Sequence, residues 1–128
     1  MASIEEAVYS RMTGFAELST LIATRLYPVL IPQDAADPAV AYQVISGIPT
    51  RSHTGYSNLQ TTRVQFTCQA ATYASAKAVG KAVRHCWESF RGTVGGILIG
   101  GAFVENEFDT GPEAAVRRVD VRIAHNED

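Results

Sequence analysis

The triplet Asp109-Thr110-Gly111 is the segment of this sequence most suggestive of catalysis. Single-domain aspartic proteases of similar length carry one such triplet and pair as dimers, so that two aspartates share a proton. In those enzymes an apolar strand precedes the triplet and a small residue follows it. Here the polar segment Glu105-Asn106-Glu107 lies just before it and Pro112 follows. A hairpin turn, in which Asp and Gly are common, explains the triplet better, and a dimeric peptidase using Asp109 remains a remote alternative.

Three acidic residues, Glu105, Glu107 and Asp109, are spaced two apart, so a regular strand would place them on one face. Such a row can bind a hard cation when a facing strand adds oxygen ligands. Arg118 and Arg122, however, lie on the next predicted strand. We therefore expect cross-strand ion pairs or an exposed charged face rather than a metal site.

The histidines and cysteines show no catalytic or metal-binding spacing. His53, His85 and His125 fall in a predicted loop, a helix and a terminus, without a CxxC, HxH or HExxH pattern. Cys68 and Cys86 are predicted to point into the core, where thiols behave as small apolar groups. Nothing indicates export, so both are expected to be reduced rather than joined in a disulfide. The sequence therefore contains no recognisable catalytic pair.

Composition limits the classes of partner. The chain has 128 residues, the size of one domain, and we expect a single domain over residues 1–128. Its 11 basic and 13 acidic residues provide no electrostatic footprint for binding nucleic acid or an anionic membrane. No apolar run approaches the roughly 20 residues that span a bilayer. Because only 19% of the residues are charged, some apolar surface is expected to be covered by partners.

The clearest elements are a strand and a helix between residues 61 and 92. Val64, Phe66 and Cys68 alternate with polar residues, which predicts a strand with one buried face. Thr72 can cap the following helix, and Gly92 is expected to end it. Gly80 inside the helix suggests close packing against a strand. The apolar positions of this helix recur at steps of three and four: Ala76, Val79, Val83, Cys86, Trp87 and Phe90.

The rest of the chain predicts a small α+β domain. A capping box at Ser3 and Glu6 begins an N-terminal helix, with a break at Gly14. The residues from Arg25 to Ile31 predict an edge strand, and those around Val40–Val44 predict a half-buried one. Two further strands, Ile97–Phe108 and Val116–His125, are expected to form a hairpin across Asp109–Ala115. The expected fold is a mostly antiparallel sheet of about four to five strands, with the N-terminal helix and one long helix packed on one face.

A long polar connection is predicted for Ser46–Gln60, which contains Gly, Pro, Ser, Thr and Asn but no sustained period. Loops of this length in compact domains are often functional, so it is a candidate contact arm, with a flexible hairpin tip as the alternative. The candidate contact residues of this arm are Arg51, His53, Tyr56 and Asn58.

Several segments of the chain together resemble a known family. They are Ile4-Glu5-Glu6-Ala7, Ala41-Tyr42-Gln43-Val44-Ile45-Ser46-Gly47, Arg63-Val64-Gln65, Ala71-Thr72-Tyr73, Phe90-Arg91-Gly92 and a final strand ending at His125. In their order and spacing they resemble the tail-completion, or tail-terminator, proteins of long-tailed bacteriophages and of phage-like gene transfer agents. Gln69 and the turn Gly111-Pro112-Glu113 depart from the family pattern.

The resemblance implies a structural virion protein with no enzyme activity and no cofactor. Such a protein forms a ring, usually a hexamer, that caps the tail tube, ends tail growth and forms part of the head-tail joint. Its implied partners are other copies of itself, the tail tube protein and a head-side connector or stopper protein, with DNA only as passing cargo and no membrane. It is made in the host cytoplasm and located in the tail and neck region of the virion.

We expect the arm to reach the tube or connector. The sheet edge and its charged outer face, with Glu105, Glu107, Arg118 and Arg122, are expected to meet neighbouring subunits. The alternative is another neck component, such as a head-completion or stopper protein.

Overall fold

The fold is seen in a computed structural model that describes residues 4–23, 25–29, 31, 38–49, 60–88, 90–94, 96–110 and 116–125. The helices are α1 (Ile4–Thr13), α2 (Ala16–Ile22) and α3 (Tyr73–Trp87). The strands are β1 (Leu26–Pro28), β2 (Ala39–Pro49), β3 (Gln60–Gln69), β4 (Gly92–Val94), β5 (Ile97–Thr110) and β6 (Val116–His125). None of the described helices is long and apolar enough to cross a membrane.

The described strands form one six-stranded sheet with the order β1-β2-β3-β6-β5-β4. The β1 strand runs parallel to β2, and the other neighbouring strands are antiparallel. The α+β class is confirmed, but the expected four to five mostly antiparallel strands are wrong, because the sheet is mixed and has six. The β4 strand, which the sequence did not predict, has only three residues and is too short for a periodic pattern to reveal.

Three β-bulges interrupt the regular alternation of side chains in the described strands. One lies between Val44 and Ser46 on β2, and β5 has two, between Ile99 and Gly101 and between Val104 and Asn106. Each leaves one residue, Ile45, Gly100 or Glu105, without a partner on the neighbouring strand. After the unpaired residue, every side chain of the strand points to the face opposite to the one that regular alternation along the sequence predicts.

The core is one buried apolar cluster formed by residues of the sheet and of the helices. Val64, Phe66 and Cys68 of β3 are fully buried and belong to the same apolar cluster as Val83 and Trp87 of α3. The rings of Phe66 and Trp87 stack with their centroids 6.3 Å apart. We call this side of the sheet the core face and the other side the polar face. Burying these large side chains contributes roughly 1.5 to 3 kcal/mol for each residue.

The α3 helix begins as the sequence predicts and ends earlier. The hydroxyl of Thr72 accepts a hydrogen bond from the backbone nitrogen of Ser75 at 3.1 Å, which confirms the predicted cap. The helix stops at Trp87, so Gly92 does not end it and is instead the first residue of β4. Phe90 packs edge-on against Trp87, with ring centroids 6.0 Å apart. Phe90 therefore contacts the core as predicted, although it lies beyond the end of the helix.

Five other predictions are corrected or confirmed by the structure or lie outside the described residues. The connection predicted for Ser46–Gln60 is shorter, because β2 continues to Pro49 and β3 begins at Gln60. The turn predicted across Asp109–Ala115 does not begin at Asp109, because β5 continues to Thr110. The capping residue Ser3 lies outside the described residues. The predicted edge position of the Arg25–Ile31 strand is confirmed by β1, and both cysteines are buried and free, as expected.

Candidate interaction surface

The polar face of the sheet is built by the alternating residues of β3 and β6. On β3 these are Arg63, Gln65 and Thr67, which lie opposite Arg122, Asp120 and Arg118 of β6. The residues between them on each strand, such as Val64 and Val121, point to the other face of the sheet and are buried in the core. The strand period therefore produces a face of charged and amide side chains directly behind the core.

Glu105 is the centre of an ion-pair network on this face. Its carboxylate accepts a hydrogen bond from Nε of Arg63 at 2.9 Å, and its other oxygen lies 2.6 Å from a terminal nitrogen of Arg122. The hydrogen bond from Arg63 is the main reason that the pKa of Glu105 is lowered from its usual value. The network confirms the predicted cross-strand ion pairing for Glu105 and Arg122. Arg63 was not among the predicted residues.

Glu107 lies on the opposite side of the sheet from Glu105. The bulge at Glu105 shifts the alternation, so Glu107 lies opposite Val119, which is buried in the core. Its two oxygens are 2.9 Å from Nε of Arg117 and 3.4 Å from a terminal nitrogen of Arg84 on α3. The prediction that Glu105, Glu107 and Asp109 share one face is therefore wrong. Of Asp109, only the backbone is described, in β5 opposite Arg117.

Arg118 and Asp120 are bound to amide and hydroxyl groups of β3. A terminal nitrogen of Arg118 donates to the side-chain oxygens of Gln65 and Thr67, each at 3.1 Å. The amide nitrogen of Gln65 donates in turn to Asp120, also at 3.1 Å. Arg118 thus contacts β3. The arginine of β6 that pairs with Glu107 is Arg117 and not the predicted Arg118. These bonds hold the charged side chains flat along the sheet.

Exposed apolar side chains lie beside the charged residues of the polar face. Phe103 on β5 is 63% exposed and lies opposite Arg122, and Ile45 at the β2 bulge is 46% exposed. A cleft of about 360 Å³ between the residues after β1 and the sheet is lined by Val29, Ala41 and Arg118. A surface with polar groups held in place beside exposed apolar groups is typical of a protein interface.

The predicted arm residues Arg51, His53, Tyr56 and Asn58 lie outside the described residues. Among the residues that are described, no group of three or more His, Cys, Asp or Glu side chains is arranged to hold a metal ion. The two thiols are poor nucleophiles, since burial raises the pKa of both Cys68 and Cys86 to about 12. The described residues of the polar face offer hydrogen-bonding and ion-pairing groups.

Sequence reasoning missed Arg63, Arg117 and Phe103. Arg63 and Phe103 could have been found, because each alternates with core residues on its own strand. Arg117 could not, since its pairing with Glu107 depends on the bulge in β5, which leaves no clear signal in the sequence.

The chain was compared with known proteins. No curated protein matches it. Among solved structures, it is similar to a chain in the virion of a native gene transfer agent particle, with a TM-score of 0.69 and 21% sequence identity, covering 98% of this chain and 96% of the other. This likeness shows that the two share a fold. The model of the family described as tail completion protein gp17 matches residues 6–125. The chain therefore belongs to the tail completion protein gp17 family.

Proposed function

We propose that this protein is a structural virion component that forms a ring on the end of the tail tube, stops tail growth and makes part of the head-tail joint. The observation that carries the proposal is the family match over residues 6–125. The shared fold with a chain from a gene transfer agent virion supports the same location, in the tail and neck region. The described surface, with binding groups held in place beside exposed apolar residues, suits assembly better than catalysis.

In this proposal a ring, with six copies as the expected number, lets DNA pass through its centre and needs no cofactor or membrane. The sheet edge and the polar face beside it meet neighbouring subunits, with Glu105, Arg118 and Arg122 as the contact residues. Glu107 joins this contact through the backbone of β5, since its side chain points towards α3. Arg51, His53, Tyr56 and Asn58 reach the tail tube protein or the head-side connector. The chain is made in the host cytoplasm before it joins the virion.

The direct test removes the gene from a strain that produces the particles. We expect tails of uncontrolled length and heads without attached tails, both restored when the native gene is supplied again. Electron microscopy of the particles, with an affinity label on this chain, should place it between tail tube and head. Normal joined particles in the absence of the protein would contradict the proposal.

The contact arm has its own test. Deleting Pro49–Ser57 should leave a folded subunit that fails to join tails to heads. Circular dichroism checks the fold, and counting joined particles checks the function. A normal yield of joined particles from this deletion would show that the arm is not a contact.

Two rival functions are separated by binding and activity. A head-completion or stopper protein would bind the portal assembly, whereas a tail terminator should bind polymerised tail tube. A dimeric peptidase would show an activity that the Asp109→Asn variant loses while staying folded. Either portal binding without tube binding or such an activity would overturn the proposed role.

A further inference from the structure

The outermost strands β1 and β4 cover only three residues each of the longer strands beside them. The β5 strand has 14 residues, yet β4 pairs only with Ile97–Ile99. The β2 strand has 11 residues, yet β1 pairs only with Val40–Tyr42. Within the described parts of the chain, no strand lies along the outer side of Gln43–Pro49 or of Gly100–Thr110. We call these two segments the β2 edge and the β5 edge.

The two edges have compatible directions. Three antiparallel pairings separate β2 from β5, so these strands run in opposite directions within one subunit. A second copy placed beside the first in the same orientation would therefore bring its β5 antiparallel to β2. Open strand edges are templates for pairing, and antiparallel pairing is the slightly more stable arrangement.

We infer that the β2 edge of one copy pairs with the β5 edge of the next copy, offset by four residues, so that the sheet continues from subunit to subunit. The inference rests on the proposed ring and names the contact that closes it. Because two different patches meet, the contact is head-to-tail, which is the kind that generates closed rings.

The offset follows from the position of β1. Val40–Tyr42, which β1 covers, lie in the same rows of the sheet as Asp109–Glu107 of β5. Without an offset, β1 of one copy would occupy the space next to that part of the β5 edge. Gln43 shares a row with Asn106 of its own copy, so an offset of four residues brings Thr110 of the next copy opposite Gln43. With this offset the β5 edge of the next copy pairs beyond the end of β1, so β1 no longer occupies the space that this edge needs.

The same offset matches the geometry of a closed sheet. The strands β2, β3, β6 and β5 span about 19 Å across, and four residues span about 14 Å along a strand. Together these lengths correspond to a strand tilt of about 35°, near the roughly 35–45° that closed sheets adopt. A ring of subunits can therefore close on this contact without distorting the strands.

Natural proteins often protect open edges with bulges and charges, and both edges here carry a bulge. The carboxylates of Glu105 and Glu107 on the β5 edge, however, are already compensated within the subunit. Glu105 is paired with Arg63 and Arg122, and Glu107 is paired with Arg117. An approaching strand would meet these carboxylates in neutralised form. The bulges would admit only one register, which gives the contact specificity rather than preventing it.

Cross-linking in assembled particles tests the inference. With an offset of four residues, Phe108 of one copy lies opposite the bulge at Ile45 of the next, on the polar face. The double variant Ile45→Cys/Phe108→Cys replaces the native gene, and the purified particles are treated with a short bis-maleimide. The matched control is Ile45→Cys/Phe103→Cys, since Phe103 is exposed on the same strand and would reach Ile45 only without an offset. The native Cys68 and Cys86 are buried and should not react.

We expect a ladder of cross-linked chains from the first double variant, and monomers from the control and from each single variant. Monomers alone from Ile45→Cys/Phe108→Cys, an equal yield from the control, or dimers from a single variant would overturn the inference. Immunoblotting first shows whether native protein is present in the particles, so loss of the proposed function is recognised separately. If Phe108→Cys fails to fold, Gln43→Cys/Thr110→Cys is used instead, because only the offset of four residues brings these two positions opposite each other.

Discussion

Gly80 lies directly against the side chain of Arg117, so that a Cβ at Gly80 would come within 2.8 Å of Arg117 Cδ. Arg117 is held in this position by Glu107, whose carboxylate lies 2.9 Å from Arg117 Nε. The close packing that the sequence suggested at Gly80 is therefore confirmed. Its partner is the aliphatic part of an arginine on β6.

This contact reverses the usual effect of replacing a helical glycine. In an exposed helix, Gly→Ala gains about 1 kcal/mol, but here we expect Gly80→Ala to lower the free energy of unfolding by about 1 kcal/mol. In an Arg117→Ala background, Gly80→Ala should stabilise the protein. Urea unfolding of the native protein, the two single variants and the double variant completes this double-mutant cycle. Ala78→Gly, at an exposed position of the same helix, is the control for propensity alone. Equal effects of Gly80→Ala in both backgrounds would contradict the contact.

Trp87 is the only tryptophan of the chain and is fully buried against Phe66. Its indole nitrogen has no hydrogen-bond partner among the described residues, so Trp87→Phe removes an unsatisfied donor as well as volume. We expect Trp87→Phe to cost about 1 to 2 kcal/mol, and Trp87→Ala about 3 to 5 kcal/mol. Urea unfolding followed by circular dichroism measures both. Equal losses for the two variants would show that ring packing is not the main contribution.

The buried His125 at the end of β6 contacts Thr62 on β3, with Nε2 and the hydroxyl oxygen 2.7 Å apart. Thr62→Val keeps the shape of the side chain and removes this bond inside the core. The expected loss is about 1 to 3 kcal/mol, the cost of a buried polar group that loses a partner. Thr62→Ser retains the hydroxyl and should lose less, and thermal unfolding ranks the three proteins. The contact has no energetic role if Thr62→Val matches the native protein.

The network at Glu105 predicts a dependence of stability on pH. The pKa of Glu105 is lowered in the folded protein, chiefly by the hydrogen bond from Arg63. Its stabilising effect is therefore complete above the unfolded value of about 4.3 and is lost as the pH falls through the folded pKa.

Glu105→Gln should cost less than about 1 kcal/mol at pH 7, as expected for a surface network, and its difference from the native protein should vanish in acid. Urea midpoints across this pH range give the measurement. Glu88→Gln, which removes an exposed carboxylate at the C-terminal end of α3, should have the opposite sign. A loss for Glu105→Gln that is the same at every pH would refute the explanation by charge.

Burial raises the pKa of Cys68 and Cys86 to about 12, so both thiols should be protonated in the folded protein at neutral pH. We expect negligible reaction with a thiol reagent at pH 8 and reaction of both cysteines after unfolding in urea. The rate of labelling should then follow the population of open molecules. Rapid labelling of the folded protein would show that one of these core positions is accessible.

The parts of the fold that sequence reasoning predicted correctly are those with a long, regular period. The strand containing Val64, Phe66 and Cys68, and the helix beginning after Thr72, have uninterrupted apolar spacing and a local cap. Their structure follows from local preference and burial together. The three-residue strand β4 exists because the longer β5 offers it a partner, so no local pattern could reveal it. For the same reason Asp109 and Thr110, which favour a turn locally, are drawn into β5 by pairing with β6.

The sequence by itself determined the class of the domain, its central strand and helix, its free core cysteines and its likeness to a family. The tertiary structure alone decided which charges meet. A single inserted residue at Glu105 places that carboxylate with Arg63 and Arg122 on the polar face and leaves Glu107 beneath α3 beside Arg117. The physical reason is that side chains alternate along a strand, so that one bulge reverses the face of the residues that follow. Whether a strand contains a bulge depends on pairing with its neighbours and not on its own residues alone.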